Sequence, residues 1–238
     1  MTLAETLADL RHHTATARHA ETGQWVSGVL RDRIAAGHLP PGTKLPEESL
    51  CDALGVSRNT LREAFATLSA ERVVTRIPNK GVFVARPTAD DIREIYRVRR
   101  YLETGALAFT PAQELPSARL GGLRRAVSRA QDARETGSVP GMAGANQEFH
   151  AGVVALAGSD RLDLLMAQVL AEMRLVFHSM ADKATFHAAY VDDNARIIEL
   201  LAAGRATDAA ALLTGYLHRA ETQLLAIVAE PGDCYGTK

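Results

Sequence analysis

Residues 25–86 alternate helical patterns with strong chain breakers, and this arrangement constrains the fold more than any other part of the sequence. A helical pattern of apolar residues begins at Trp25 and is broken by Pro40-Pro41-Gly42. A second helix is predicted over 46–54 and a third over 57–70, with proline, serine and glycine at the positions that start and stop helices. The segment therefore predicts three short helices in close succession.

The second and third predicted helices are joined by a short turn that contains Gly55, as in a helix-turn-helix. In that motif the second helix enters the major groove of DNA with its N-terminus first. Arg58, Asn59 and Arg62 lie at the start of the third helix, where arginine can read guanine and asparagine can read adenine. Thr60 can reach a phosphate. The alternative is that these side chains form an ordinary solvated helix face.

Two β-prone runs, Val73–Ile77 and Val82–Val84, follow the third helix and are separated by Pro78-Asn79-Lys80-Gly81, which is a turn sequence. Three helices and a hairpin predict a winged helix, with Lys80 and Gly81 at the tip of the wing. Glycine allows the backbone to approach DNA closely, and the lysine can neutralise a phosphate. The candidate DNA-binding residues are Lys44, Ser57, Arg58, Asn59, Thr60, Arg62, Asn79, Lys80 and Gly81.

The charge distribution agrees with a DNA-binding first module. The whole chain has a formal charge of -1, but residues 25–86 contain nine basic and six acidic residues. Residues 87–238 contain 16 basic and 19 acidic residues. A cationic head followed by a mildly anionic body suits binding to phosphate by the head, although an excess this small is weak evidence by itself.

The rest of the chain reads as helical, without a convincing strand pattern. The predicted helices span 88–109, 117–136, 143–157, 160–181, 186–203 and 207–229. We therefore expect a mainly α protein in which an N-terminal winged helix-turn-helix with a small β-hairpin wing precedes a C-terminal all-α six-helix bundle. The expected divisions are an arm or short helix at 1–24, the DNA-binding domain at 25–86, the helical domain at 87–230 and a flexible tail at 231–238.

Several other classes of protein are disfavoured by composition. Cys51 and Cys234 are far apart and have no partners at metal-ligand spacing, which argues against a disulfide scaffold and a cysteine-based zinc site. No apolar run approaches the ~18 residues of a membrane span. The first residues lack the pattern of a signal peptide. A cytoplasmic location is the expectation.

The first module resembles the DNA-binding domain of the GntR family of bacterial transcription regulators. The resemblance rests on three stretches: Gly37-His-Leu-Pro-Pro-Gly-Thr-Lys-Leu45, Leu54-Gly-Val-Ser-Arg-Asn-Thr-Leu-Arg-Glu-Ala64 and Gly81-Val-Phe-Val84. Many relatives carry Thr-Pro or Thr-Thr where this chain has Asn59-Thr60. This departure concerns the base that is read and not the fold.

The helical module resembles the FadR subfamily, in particular its six-helix VanR-like group, whose C-terminal domain binds an effector and dimerises. The opening helix, Asp91-Ile-Arg-Glu-Ile-Tyr-Arg-Val-Arg-Arg-Tyr-Leu-Glu103, carries this resemblance, as do Phe149-His150 and Ala157-Gly158-Ser159. The resemblance implies that Arg99 occupies a position that can hold an effector carboxylate. The alternative for Arg99 is a surface or intersubunit salt bridge.

Many members of this subfamily hold a divalent metal on one aspartate and three histidines. The corresponding positions here are Asn146, His150, Asn194 and Tyr216, so only one expected ligand is retained. A zinc or nickel site is therefore doubtful, since asparagine and protonated tyrosine bind these ions poorly. It would require substitution of the missing ligands by other histidines of the chain, namely His178, His187 or His218. The preferred interpretation is that the four side chains bind an effector directly, and the alternative for His150 is a core histidine with satisfied hydrogen bonds.

These observations predict a ligand-responsive transcription regulator, a repressor that binds a palindromic operator as a homodimer and responds to an organic acid. The candidate effector-binding residues are Arg99, Asn146, His150, Asn194 and Tyr216. The alternative function is a helical metal-dependent hydrolase, but the sequence contains no His-Glu-x-x-His, Gly-x-Ser-x-Gly or phosphate-loop motif. We therefore expect a protein that is not an enzyme.

Overall fold

The computed structural model describes residues 5–7, 22–110, 117–178, 180 and 183–229. The chain divides into two compact units, one of Met1–Pro87 with Ala171–Ser179 and the other of Thr88–Leu170 with Met180–Lys238. Most of the predicted N-terminal arm and all of the predicted tail at 231–238 lie outside the described residues.

Residues 22–87 of the first unit form three helices and a small antiparallel sheet. The helices are α1 (Thr22–Ala35), α2 (Glu47–Leu54) and α3 (Arg58–Ala70), and the strands are β1 (Lys44–Leu45), β2 (Val74–Ile77) and β3 (Gly81–Val84). The strand order is β1-β3-β2, with Lys44 opposite Phe83 and Val74 opposite Val84. The predicted winged helix-turn-helix is confirmed. The two-residue strand β1 was not predicted, because it is too short to show an alternating pattern.

The turn between α2 and α3 follows from its glycine and serine. Gly55 has φ 65°, a left-handed conformation that glycine adopts without steric cost, and it ends α2. The hydroxyl oxygen of Ser57 accepts a hydrogen bond of 3.2 Å from the backbone N–H of Thr60 and so caps α3. Leu61, Phe65 and Leu68 then point into the core of the unit, which leaves the opposite face of α3 in solvent.

A two-pronged ion pair joins α1 to the end of α3. The Arg31 guanidinium donates from Nε and Nη2 to the two carboxylate oxygens of Glu71, at 2.8 and 2.6 Å. Paired parallel hydrogen bonds of this kind define an orientation as well as a distance. The pair therefore helps to fix α3 on the helix beneath it.

The second unit is built from helices. A long helical stretch comprises α4 (Ala89–Arg99), a π-helical turn (Arg100–Thr104) and α5 (Gly105–Phe109). The remaining helices are α6 (Ser117–Glu135), α7 (Val139–Ala155), α8 (Asp160–His178), α9 (Lys183–Ala188), α10 (Val191–Ala202) and α11 (Ala206–Ala229). The residues of α8 up to Leu170 belong to this unit, and those from Ala171 onward belong to the first.

Two of the predicted helix boundaries are wrong. The helix predicted over 143–157 begins at Val139, because the Ser138 hydroxyl oxygen accepts from the Gly141 N–H and Pro140 is tolerated in a first turn. The helix predicted over 186–203 is two helices, α9 and α10. The chain turns at Ala189 and Tyr190, where no proline or glycine signals a break.

Thr88 and Asp91 cap the first helical stretch of the second unit. The Thr88 hydroxyl oxygen accepts from the Asp91 N–H at 3.2 Å, and the Asp91 carboxylate accepts from the Thr88 N–H at 2.8 Å. This reciprocal arrangement is a capping box. None of the helices in the described parts of the chain is long and apolar enough to span a membrane.

Candidate functional site

The candidate DNA-binding side chains lie on the start of α3 and on the sheet of the first unit. Ser57, Arg58, Asn59 and Arg62 are exposed, and Thr60 is half-buried. The Thr60 hydroxyl lies 2.9 Å from the Ser57 hydroxyl, so the two cap groups interact with each other. The exposed face of α3 thus begins with two arginines and an asparagine at the helix N-terminus, where the backbone N–H groups also favour anions.

The basic side chains on this surface differ in their partners. Arg62 pairs with Glu47 at 3.1 Å, an exposed ion pair within the helix-turn-helix. Among the residues that the structure describes, no carboxylate lies within 4.0 Å of the charged groups of Arg58 or Lys80. Arg58 and Lys80 therefore keep their positive charge available to a phosphate or base, whereas Arg62 would first have to leave Glu47.

The wing tip has the backbone that its sequence predicts. Asn79 has φ 60° and Gly81 has φ 109°, and the Lys80 N–H donates to the Ile77 carbonyl at 3.1 Å. A Cβ placed on Gly81 would lie 3.7 Å from Lys44 Cε, so the side chain of Lys44 runs alongside the tip. The structure thus brings Lys44, Asn79, Lys80 and Gly81 together on one end of the sheet.

The five candidate effector-binding residues belong to one buried polar cluster in the second unit. Arg99, Asn146, His150, Asn194 and Tyr216 each have between 1% and 8% of their surface exposed. They come from α4, α7, α10 and α11, helices that are distant in sequence. Continuous hydrogen bonding links them, and it passes through a sixth residue that was not predicted as a site residue.

That sixth residue is Glu103, which is completely buried. Its Oε1 accepts from Arg99 Nε at 2.8 Å, and its Oε2 lies 2.6 Å from His150 Nδ1. The sequence contained one usable signal, because arginine and glutamate four residues apart on a helix can form an ion pair. That spacing is usual for exposed pairs, so the pattern could not indicate that this pair is buried.

The charged side chains of the cluster stabilise each other in their ionised forms. Burial would raise the pKa of Glu103, but the Arg99 guanidinium and then His150 outweigh it and lower the pKa below its ordinary 4.5. Burial would likewise lower the pKa of Arg99, but the Glu103 carboxylate outweighs it and raises the pKa above its ordinary value. Both groups are therefore charged at neutral pH. The suggestion of a surface or intersubunit salt bridge for Arg99 is wrong, since its partner is a buried group of the same chain.

The protonation of His150 follows from its two partners. Burial lowers its pKa below 6.5, and the Glu103 carboxylate offsets only part of this effect, so the ring is neutral at pH 7. A carboxylate can only accept, and we therefore assign the single ring proton to Nδ1, which donates to Glu103. Nε2 then accepts from the Tyr216 hydroxyl at 2.8 Å. The site thus contains one positive and one negative charge.

Tyr216 continues the network to the two asparagines. Its hydroxyl oxygen lies 3.1 Å from Asn146 Oδ1, an alternative acceptor for the same proton, and Asn194 Nδ2 donates to Asn146 Oδ1 at 2.8 Å. The Tyr216 ring stacks on Tyr190 with 4.5 Å between ring centroids. Tyr190, at the unpredicted break between α9 and α10, therefore forms one wall beside the cluster.

Two buried polar atoms in the cluster have no hydrogen-bond partner in the described part of the chain. They are Arg99 Nη2, which is a donor, and Asn194 Oδ1, which is an acceptor. Leaving such an atom unsatisfied costs about 1–3 kcal/mol, so native proteins pair them with a protein group, water or a ligand. A bound molecule that carries both an acceptor and a donor would satisfy the two atoms.

The side chains of the cluster are not suited to the divalent metal that many members of the FadR subfamily hold. Both ring nitrogens of His150 already have partners, and burial raises the pKa of Tyr216 well above 10, which opposes the deprotonated form that a metal would need. His178 Nε2 lies 2.8 Å from the Ala35 carbonyl oxygen in the first unit, and the side chain of His218 is exposed. Across the described ranges, no three His, Cys, Asp or Glu side chains come close enough to hold an ion.

Comparison with known protein families agrees with the fold of both units. Residues 23–84 match the model of the bacterial regulatory proteins of the gntR family. Residues 94–219 match the FCD domain. The first match contains the helix-turn-helix and wing, and the second contains all the residues of the buried polar cluster.

Individual relatives give the same result. The chain is 33% identical over 131 residues to an uncharacterized HTH-type transcriptional regulator of Agrobacterium vitis, a match that covers 54% of this chain and 77% of the relative. It is 38% identical over 96 residues to the gluconate operon transcriptional repressor of Bacillus subtilis, covering 40% of this chain and 39% of that protein. A crystal structure described as a GntR transcriptional regulator from Rhodococcus sp. RHA1 has a TM-score of 0.81 and 39% identity, covering 87% of this chain and 99% of the other.

A winged helix-turn-helix joined to an all-helical domain with a polar interior defines a one-component transcription regulator. The chain belongs to the GntR family, in the group whose C-terminal part is an FCD effector-binding domain. Its relatives are transcription regulators, so the alternative of a helical hydrolase is wrong and the protein is not an enzyme.

Proposed function

We propose that this regulator is a repressor that binds a palindromic operator as a homodimer and is controlled by an organic acid bound in its FCD domain. In this proposal residues 25–86 bind DNA in the cytoplasm, and residues 87–230 bind the effector and dimerise. The part of the proposal that concerns DNA binding rests on the exposed start of α3, where Arg58 and Asn59 project beside the helix N-terminus. The gluconate operon relative is a repressor by name, which supports repression here.

The geometry of the first unit supports separate tasks for the start of α3 and for the wing. The start of α3 presents base-reading side chains, and Lys44 and Lys80 at the wing present positive charge that can pair with phosphate groups. Two such heads related by a two-fold axis would meet the two halves of an inverted repeat.

Arg58→Ala weakens binding to the operator by about 1–3 kcal/mol and relaxes the preference for one base pair, because a bidentate arginine contact is lost. Lys80→Ala weakens binding to operator and scrambled duplexes alike and reduces the salt dependence by about one phosphate contact. Fluorescence anisotropy with an operator selected from random duplexes, at several salt concentrations, measures both effects. Arg97→Ala, which removes an exposed arginine of the second unit, is the matched control. An Arg58→Ala protein with unchanged sequence preference would refute the assignment of α3.

The effector half of the proposal rests on Arg99 Nη2 and Asn194 Oδ1. A carboxylate oxygen can accept from the guanidinium, and a hydroxyl on the same molecule can donate to the asparagine. His150, Tyr216 and Asn146 connect Arg99 and Asn194 through the buried hydrogen-bond network and so hold the two groups in place. In this chain, direct polar contacts take the place of the metal-mediated contacts expected in the FadR subfamily. Effector binding therefore needs no zinc or nickel.

A thermal-shift screen of small carboxylates and sugar acids tests the effector half. An acid present at about 100 times its Kd adds about 2.7 kcal/mol to the stability of the protein, and the same shift is expected with EDTA, zinc or nickel. The primary-amide analogue of the acid is the control ligand. Arg99→Lys keeps the charge beside Glu103 but removes Nη2, and it reduces the shift. Equal shifts for acid and amide, or a shift that needs added metal, would contradict this mode of binding.

A further inference from the structure

Two residues connect the sheet of the first unit to the first helix of the second. Ala85 still belongs to the sheet region by its backbone, since its N–H donates to the Val73 carbonyl at 2.9 Å. Thr88 is already the N-cap of α4. Arg86 and Pro87 lie between these two fixed points, and we call them the junction.

The backbone on the N-terminal side of the junction is held by a second set of hydrogen bonds. The Val84 N–H donates to the Thr43 carbonyl at 2.9 Å, and the Val84 carbonyl accepts from the Gly42 N–H at 2.8 Å. Within the junction, Pro87 has a fixed φ and confines the residue before it to extended conformations. The rotation that remains in the junction is therefore concentrated in Arg86 and in one torsion of Pro87.

The side chain of Arg86 lies directly against the backbone of Gly42. A Cβ placed on Gly42 would be 1.9 Å from Arg86 Nε and 2.5 Å from both Cζ and Nη2, so only glycine leaves room for the guanidinium. Gly42 has φ 84°, which glycine adopts without steric cost. Among the residues that the structure describes, no carboxylate lies within 4.0 Å of this guanidinium. Packing on the glycine, and not an ion pair, therefore positions it.

We propose that the contact between Arg86 and Gly42 stiffens the junction and thereby fixes the spacing between the two half-sites of the operator. The contact holds the far end of the Arg86 side chain on a loop that is itself bonded to Val84, so rotation of the Arg86 backbone would break it. Arg86 is in this sense a positioning residue for DNA binding.

A stiff junction affects which operators the protein can bind. Moving one half-site by one base pair displaces it by about 3.4 Å along the duplex and rotates it by about 35°. Two heads that leave their junctions in a fixed direction cannot both follow such a change. This inference rests on the proposed function, because spacing matters only when two heads bind an inverted repeat.

A direct contact with phosphate is the alternative role for an arginine without a carboxylate partner. The two roles make different predictions for Arg86→Lys. Lysine can replace arginine where a point charge meets a phosphate, but it has no planar group that can lie against a glycine. A positioning role is therefore lost in Arg86→Lys, whereas a phosphate contact is largely kept.

Fluorescence anisotropy with duplexes whose half-site spacing is one base pair shorter or longer than in the selected operator tests this inference. For the wild-type protein we expect each change to raise Kd at least about 10-fold, because the second head no longer reaches its half-site. Arg86→Ala and Arg86→Lys reduce this ratio to below about threefold, while binding to a single half-site is unchanged. Arg93→Ala, which removes an exposed arginine of α4, keeps the wild-type ratio.

Gly42→Ala tests the same contact from its other side. The methyl group occupies the place of the guanidinium and displaces it while the arginine is retained, so we expect the same loss of spacing preference. Circular dichroism checks that the variant is folded. If Gly42→Ala does not fold, the two Arg86 variants decide.

The outcomes separate this inference from the proposed function. A wild-type protein that binds all three spacings of its inverted repeat alike, or an Arg86→Ala variant that keeps the wild-type ratio, would overturn the inference alone. Weaker binding of Arg86→Ala to every duplex, including a single half-site, with recovery in Arg86→Lys, would show a phosphate contact instead. A selection that recovers no inverted repeat would overturn the proposed function and this inference with it.

Discussion

Glu103→Gln lowers the free energy of unfolding of the second unit by about 3–5 kcal/mol, the range expected when one partner of a buried ion pair is removed. The variant keeps the shape of the side chain but leaves the Arg99 charge buried without a counter-charge. Arg99 cannot escape by losing its proton, because a guanidinium stays protonated in proteins. At about 2–4 °C per kcal/mol, the thermal midpoint falls by roughly 10 °C.

Urea unfolding followed by far-UV circular dichroism measures this loss. Trp25 is the one tryptophan of the chain and lies in the first unit, so its fluorescence reports that unit separately and is expected to change little. Glu94→Gln removes a glutamate of the exposed Arg97 pair on the same helical stretch and should cost less than about 1 kcal/mol. If Glu103→Gln costs no more than this control, then the Arg99–Glu103 pair is not held in a buried site.

Arg99→Met reverses the pH dependence of stability that the cluster confers. In the wild-type protein, the folded-state pKa values of Glu103 and His150 are both below their ordinary values of 4.5 and 6.5. The unfolded chain therefore binds more protons than the folded one, and their contribution to stability is lost as the pH falls through 6.5 and then below 4.5.

Removal of Arg99 takes away the positive charge that kept a proton off this pair. Burial then dominates for the Glu103 carboxylate, and the apparent pKa of the proton that Glu103 and His150 share rises. Over the pH range in which the folded variant holds this shared proton and the unfolded chain does not, the folded state binds more protons than the unfolded state. The variant, destabilised by about 3–5 kcal/mol at pH 8, therefore regains stability as the pH falls through this range, where the wild type does not.

Urea midpoints measured by circular dichroism from pH 5 to 9 reveal the sign of this slope. Arg97→Met, which removes an exposed arginine, should leave the wild-type slope unchanged. The double variant Arg99→Met/Glu103→Leu removes both charges and should recover most of the stability, because apolar replacement of a buried pair is often neutral. A wild-type slope in Arg99→Met would show that Arg99 does not control the protonation of its neighbours.

The long first helix of the second unit illustrates what could be read from its sequence. Its span was predicted over 88–109, and its apolar residues Ile92, Ile95 and Tyr96 are buried. Leu102 is also apolar but is half-buried, and Glu103 takes the fully buried position beside it. A hydrophobicity pattern assigns charged residues to the surface, and only the contacts with Arg99 and His150 reverse that assignment for Glu103.

The amino-acid order by itself determined the local elements of this protein: the glycine turn before Ser57, the cap at Thr88 and the wing turn. These depend on backbone preferences and on neighbours within a few residues, which a linear pattern contains. Only the tertiary structure revealed the third strand, the break at Tyr190, the π-helical turn and the burial of Glu103. Each of those features arises either from contacts between residues far apart in the chain or from a change in the backbone hydrogen-bonding pattern of a helix. Burial changes the free energy of a charged side chain only after the groups that pair with it have been brought close to it.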